Sequence, residues 1–197
     1  MDEAPMSLSR RDLLLSTLAM GFAPRTNAEE PFPVDMKAPK QLEYKYQRRD
    51  DEYETNEPAG TIVIDAIKRL LFHVQGNGMA TRNGMAVGKS TKAWKGEVII
   101  KKIVEWPTWT PAPYHLDIRP ELAKWKNGMP GGPDNPMGAC AMYLYKGNVD
   151  SINRIHGSAK VADIGKKATA GCIGMLNADI IHLYANVQVG ARVVMLG

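Results

Sequence analysis

From Pro58 onward the apolar residues of this 197-residue chain come in short β-branched runs bounded by glycine and polar turns, and only one stretch carries helical spacing. That pattern points to a mainly β fold. Thr61-Ile62-Val63-Ile64 and Arg69-Leu70-Leu71-Phe72-His73-Val74 read as two strands joined by a short polar turn, and Gly76-Asn77-Gly78 closes the second. Further strands are expected at 80–87, 98–104, 139–145 and 192–196. The helical stretch begins at Asn177, which can cap it, and carries Asp179 at its positive end. It repeats Ile180, Leu183, Tyr184 and Val187 before Gly190. His182 falls off that stripe and is expected to be exposed.

Within this domain one cysteine has a histidine sixteen positions before it: Arg154-Ile155-His156-Gly157-Ser158, then Thr169-Ala170-Gly171-Cys172-Ile173. A thiol preceded by Gly and followed by an apolar residue, with an upstream His-Gly pair, suits nucleophilic catalysis. Only the thiolate attacks carbonyls well, and an imidazole can supply it at neutral pH. His156 is the candidate base. Gly171 lets the backbone run close to a substrate carbonyl, so its amide and that of Cys172 can face a developing oxyanion. The alternative makes Cys172 a small buried hydrophobe and His156 a satisfied core histidine.

The stretch from Ile155 to Leu196 resembles the C-terminal signature of L,D-transpeptidases, the YkuD-like catalytic domain. The residues that carry the resemblance are Ile155-His156-Gly157-Ser158, Ile164-Gly165 and Thr169-Ala170-Gly171-Cys172-Ile173-Gly174. It reaches back through Gly60-Thr61-Ile62-Val63-Ile64-Asp65, Trp106-Pro107-Thr108-Trp109-Thr110-Pro111 and Asn135-Pro136-Met137-Gly138. The resemblance implies a β-sandwich with one or two short helices. It also implies Cys172 as nucleophile, His156 as general acid and base, Gly157 as backbone beside the base, and Gly171 as an oxyanion amide. Ser158 would orient His156 through its carbonyl or hydroxyl. Tyr143 is placed either as an oxyanion or substrate contact or as a buried tyrosine with a backbone partner. The sequence departs from the family at two positions, with Ala170 where His is usual and Gly174 where Arg or Asn is usual.

The implied reaction is attack on a peptidoglycan tetrapeptide stem, release of the terminal D-alanine, and resolution of a thioester by an amine. That amine belongs to another stem or to an envelope protein; a same-fold hydrolase and a weakly active binding protein remain as alternatives. No metal, nucleotide or organic cofactor is implied. Glu105 to Tyr114 concentrates aromatics between prolines, so Trp106 and Trp109 are either a substrate wall or a packed cover, and Asn135 joins them as a candidate substrate contact. His73 and His115 read as structural, the first within a strand and the second in a Pro-rich loop. Cys140 sits in an apolar strand and reads as packing, so both cysteines are expected to stay unbridged.

The first 28 residues read as an export signal cleaved near Ala28. Arg10-Arg11 precede an apolar run from Leu13 to Phe22 that is shorter than the ~20 residues of a membrane span. This implies a periplasmic protein with no stable membrane anchor. Removing these residues takes away three basic and three acidic side chains, so the net charge of +4 persists. A modest basic excess suits an anionic envelope polymer, and nothing points to nucleic acid. Residues 29–57 hold prolines 31, 33 and 39 and the run Arg48-Arg49-Asp50-Asp51-Glu52, which reads as an extended arm without a core of its own; the catalytic domain spans 58–197.

Overall fold

In the computed structural model the described residues are 30–88, 96–157, 160–169 and 171–196, with only the backbone of Thr169 described. Eleven strands are present among them: β1 Arg49–Glu52, β2 Ile62–Asp65, β3 Leu70–Gly76, β4 Met79–Gly84, β5 Val87–Gly88, β6 Gly96–Glu105, β7 Cys140–Lys146, β8 Val149–His156, β9 Lys167–Thr169, β10 Ile173–Gly174 and β11 Arg192–Leu196. Two α-helices accompany them, α1 Pro113–Ile118 and α2 Asn177–Asn186. Nine strands form one sheet in the order β1-β4-β3-β2-β11-β6-β7-β8-β10, and β5 pairs with β9 apart from it. The fold is mainly β, as the apolar runs predict.

The main core is built from alternate residues of these strands: Ile62 and Ile64 of β2, Val98 and Ile100 of β6, Met142 and Leu144 of β7, and Val193 and Met195 of β11. Ile180 and Leu183 of α2 close onto it, so the helical stripe does face the core. Each of these large aliphatic side chains contributes roughly 1.5–3 kcal/mol by leaving water. Two local expectations are corrected. Leu176, not Asn177, stands at the N-cap of α2, and no side chain caps it; the Asn177 carboxamide is used elsewhere, as described below. His182 is half-buried rather than exposed.

The expected strand at 80–87 is split after Gly84, where a Cβ would lie 2.6 Å from the Tyr46 carbonyl oxygen. The arm itself joins the domain. Two 3₁₀ turns, at Ala38–Gln41 and Tyr44–Tyr46, lead into β1, which pairs antiparallel with β4. Leu42 is buried with Ile164 and Leu176 in a small cluster of its own.

Candidate active site

Strand β8 carries the candidate base at its last position. It runs antiparallel to β7, with Ala141 facing His156 and Tyr143 facing Arg154, and parallel to β10, with Ile155 facing Ile173 and His156 facing Gly174. Cys172 is the residue just before β10, so this register sets it level with Arg154 and diagonal to His156. The sheet therefore brings the two sequence candidates onto neighbouring strand positions.

His156 is 8% exposed, and its Nδ1 lies 2.7 Å from the carbonyl oxygen of Gly157. A carbonyl only accepts, so Nδ1 carries the proton and Nε2 is left as the lone-pair base. Among the described residues the Gly157 carbonyl is the partner of Nδ1; Ser158, expected to orient His156, lies outside them. Burial pushes the imidazole down to about 4, opposed weakly by that hydrogen bond, so His156 is neutral at physiological pH.

Gly157 has to be glycine. A Cβ there would lie 2.2 Å from Asn177 Oδ1 and 3.1 Å from Ile180 Cγ2. Asn177 Oδ1 accepts the Ala139 N–H at 3.0 Å, and the Gly157 N–H is shared between the carbonyls of Met137 and Cys140 at 3.1 and 3.0 Å. The first turn of α2 thus braces the turn behind the base, which is where the expected cap residue has gone.

The Cys172 thiol is pushed up by burial, while a hydrogen bond from the Arg154 backbone and the Arg154 charge pull it back in part. Its resting state is therefore a thiol beside a neutral imidazole, not a preformed ion pair. Cys140 is 1% exposed, and neither cysteine is in a disulfide. Gly171 touches Gly88 of β5, whose own Cβ would come within 2.5 Å of the Gly171 Cα. Gly174 is buried and exchanges two backbone hydrogen bonds with Ala86, at 2.8 and 2.9 Å. Ala170, the other departure, lies outside the described residues.

The remaining candidates divide. Tyr143 stands level with Arg154 but two strands from β10, roughly 10 Å away at the usual strand spacing. Its ring lies under the Arg154 guanidinium at 4.3 Å and the Lys102 ammonium at 5.2 Å, and burial raises its hydroxyl. Asn135 is 1% exposed and its polar atoms are occupied: Nδ2 donates to the carbonyls of Pro107, Met129 and Pro130, and Oδ1 accepts from the Met137 N–H. It staples the connection between β6 and β7. Trp106 donates its indole N–H to Glu30 at 2.8 Å and meets Phe32 edge-on at 4.8 Å, so it faces the arm. Trp109 lines a groove of about 510 Å³ with His115, Arg119, Trp125, Met129 and Ala168, the last only four residues before Cys172.

Two residues beside the thiol, Arg154 and Tyr114, were missed in the sequence. Arg154 is held by both oxygens of Asp150, at 2.7 and 2.8 Å, and contributes its charge at Cys172. Tyr114, on α1, is 48% exposed and its hydroxyl is raised by burial and then by the Cys172 charge, which marks it as a neighbour of the thiol. It belongs to the aromatic Pro-rich run, so the only sequence signal was collective. His115, expected in a loop, lies on α1, where Nδ1 accepts the Ala112 N–H at 3.0 Å. Among the described residues no three His, Cys, Asp or Glu side chains gather as a metal would need, and no helix is long and apolar enough to cross a membrane.

Comparison with known proteins identifies the family and the fold. Residues 59–195 match the family model described as the L,D-transpeptidase catalytic domain. The chain is 39% identical over 114 residues to "Probable L,D-transpeptidase ErfK/SrfK" of Escherichia coli K12, covering 56% of this chain and 34% of that protein. It is 32% identical over 139 residues to "Probable L,D-transpeptidase YbiS" of the same strain, covering 68% and 43%. The match thus spans less than half the length of each of these two relatives. Among solved structures, a Brucella melitensis protein described as "Probable carnitine operon oxidoreductase caia" is 39% identical with a TM-score of 0.54, over 82% of this chain and all of that one. An Enterococcus faecium L,D-transpeptidase shares the fold at 14% identity and a TM-score of 0.51, over 71% of this chain and 50% of that one.

Proposed function

Because the chain belongs to the L,D-transpeptidase catalytic-domain family, we propose that Cys172 and His156 carry out acyl transfer on peptidoglycan tetrapeptide stems. The observation that carries this reading is the fixed tautomer of His156, whose Nδ1–H is tied to Gly157 and whose Nε2 is left as a base one diagonal step from the thiol.

Cys172 Sγ attacks the carbonyl between the third-position diamino acid and the terminal D-alanine. The thiol proton passes to His156 Nε2, and the backbone amides of Gly171 and Cys172 face the developing oxyanion. The C–N bond then breaks, His156 returns the proton to the departing D-alanine amine, and a thioester remains on Cys172. An incoming amine attacks that thioester, gives its proton to His156, and the proton returns to sulfur. Starting from a neutral thiol and imidazole, the proton moves as the S–C bond forms. Arg154 lowers the cost of negative charge on sulfur, and its pairing with Asp150 keeps it in place.

The groove beside Trp109, Trp125 and Ala168 is suited to non-reacting parts of the stem, since aromatic faces pack on apolar and sugar surfaces. The acceptor is a second stem or an envelope protein, and the signal-like N-terminus supports work in the periplasm after cleavage near Ala28. The test is incubation with purified disaccharide tetrapeptide and mass analysis of the products. Cross-linked dimers with free D-alanine are expected. Tripeptide monomers alone make the protein a hydrolase, and unchanged substrate overturns the enzymatic reading.

A further inference from the structure

The arm that precedes the catalytic domain touches each of the three segments that hold the site. At its start Glu30 and Phe32 engage Trp106, at the root of the β6–β7 connection that carries α1 and the groove. At its end Arg48 donates to the Ala178 carbonyl at 2.9 Å and to Asp179 at 3.1 Å, in the first turn of α2 that braces Gly157. Between them lies Tyr46. Its ring sits on the α-carbon of Gly165, where a Cβ would come within 2.5 Å of Cε2, and its backbone sits on Gly84, where a Cβ would come within 2.6 Å of its carbonyl oxygen. Both glycines lack a side chain where Tyr46 occupies the space, and Gly165, at φ +81°, holds a backbone conformation that side chains disfavour.

From Gly165 a continuous path leads to the nucleophile. The Gly165 N–H donates to the Met85 carbonyl at 3.0 Å and the Val87 N–H to the Lys166 carbonyl at 3.0 Å, which stitches 164–166 to the start of β5. Strand β9 then continues alongside β5, and Gly88 of β5 presses on Gly171, the neighbour of Cys172. A wedge at Gly84 and Gly165 therefore fixes β5 and β9 together, and β5 fixes the loop that presents the thiol.

We propose that the arm is a positioning strap for the active site and that the Tyr46 ring is its wedge, setting the placement of Cys172 without touching the substrate. The turnover readout rests on the acyl-transfer reading given above; the thiol readout does not. Loosening the wedge lets the Cys172 loop move outward, which slows turnover because the attacking atom is misplaced. The same movement makes the thiol more reactive to a small reagent, because it is less buried. Global unfolding would also expose the thiol and lower turnover, so the two numbers are read on protein that circular dichroism shows to be folded.

The experiment compares the full chain with Tyr46→Ala and Tyr46→Phe. D-alanine release from disaccharide tetrapeptide is followed as kcat and KM, and iodoacetamide labelling of Cys172 at pH 7 is read by peptide mass, with circular dichroism as the check on folding. Tyr46→Ala is expected to lower kcat about tenfold or more with KM within about threefold, and to raise the labelling rate about fivefold. Tyr46→Phe keeps the ring and is expected within about twofold of the parent on every count. Should Tyr46→Ala not fold, Tyr46→Leu is read by the same numbers. A folded variant without the ring that keeps both kcat and labelling at parental values overturns the proposal, as does a Tyr46→Phe protein impaired as far as Tyr46→Ala. A parent that labels as described but releases no D-alanine overturns the acyl-transfer reading and leaves the strap to be judged on labelling alone.

Discussion

Gly88 and Gly171 meet backbone to backbone: a Cβ added to Gly88 would stand 2.5 Å from the Gly171 Cα and 2.8 Å from its amide nitrogen. Backbone cannot swing aside as a flexible side chain can, so Gly88→Ala must push the Gly171–Cys172 segment. Overpacking of this kind costs about 1–3 kcal/mol. In a chain of this size that lowers Tm by roughly 2–4 °C per kcal/mol. The larger effect is expected in acylation, where a displaced oxyanion amide lowers kcat by about a hundredfold. Stopped-flow or quenched thioester formation, with a thermal melt of the same sample, checks both.

The pH dependence of the thiol follows from its surroundings. Burial raises Cys172 and lowers His156, so the protonated thiol dominates at neutral pH and the free imidazole carries no charge to stabilise a thiolate. Iodoacetamide labelling of the resting protein is therefore expected to climb through pH 9 with no plateau between pH 6 and 8. His156→Ala should change that labelling only a few-fold while slowing substrate acylation by about a hundredfold, since the base is needed to carry the proton to the leaving amine. A labelling plateau at neutral pH that vanishes in His156→Ala would show a preformed ion pair instead.

Asp179, 0% exposed and paired with Arg48, is raised by burial to about 6. Its folded value lies above its unfolded one, so the fold binds the extra proton, and stability falls as pH rises from about 4 to 6 and stays lower above that. The difference amounts to about 3 kcal/mol. Asp179→Asn removes this dependence. His156 acts in the opposite sense, losing stability as pH falls from 6.5 toward 4, but it is common to both proteins. The Tm of Asp179→Asn minus that of the parent is therefore expected to be larger at pH 7 than at pH 4.5; an equal difference would place the Asp179 carboxyl in a solvated setting.

Strands β2, β3, β6, β7 and β11 could be read from the sequence because each carries a run of apolar, often β-branched residues; in β2 the run is buried on both faces, with Ile62 and Ile64 in the main core and Val63 in a second cluster with Phe72 and Val74. Strand β8 could not, although it carries the base. Three of its residues, 151–153, stand against the single residue Leu144, and Ile152 holds φ +65°, so the alternation breaks in the middle. Helix α1 was hidden in a Pro-rich run, since Pro113 occupies a first-turn position where the missing N–H costs nothing.

At the site, His156 and Cys172 could be picked out because each sits in a short motif of its own, and the register of β8 with β10 sets them one diagonal step apart. Asn177 was read as the cap of α2 because its partner lies far away in sequence: Ala139 is 38 residues from it. Trp106 and Trp109 share one run, and only the fold turns the first toward the arm and the second into the groove. Arg154 gave no sign of its position beside the thiol, which depends on the register of β8 with β10.

The central claim is that Cys172 forms the covalent intermediate, and intact-protein mass analysis of the enzyme quenched during turnover of disaccharide tetrapeptide tests it most directly. The account predicts an adduct of the stem lacking its terminal D-alanine, mapped to the peptide that contains Cys172, with one D-alanine released per adduct and neither signal in a folded Cys172→Ala protein. D-alanine release that persists in Cys172→Ala, or an adduct mapped to any other residue, would contradict it.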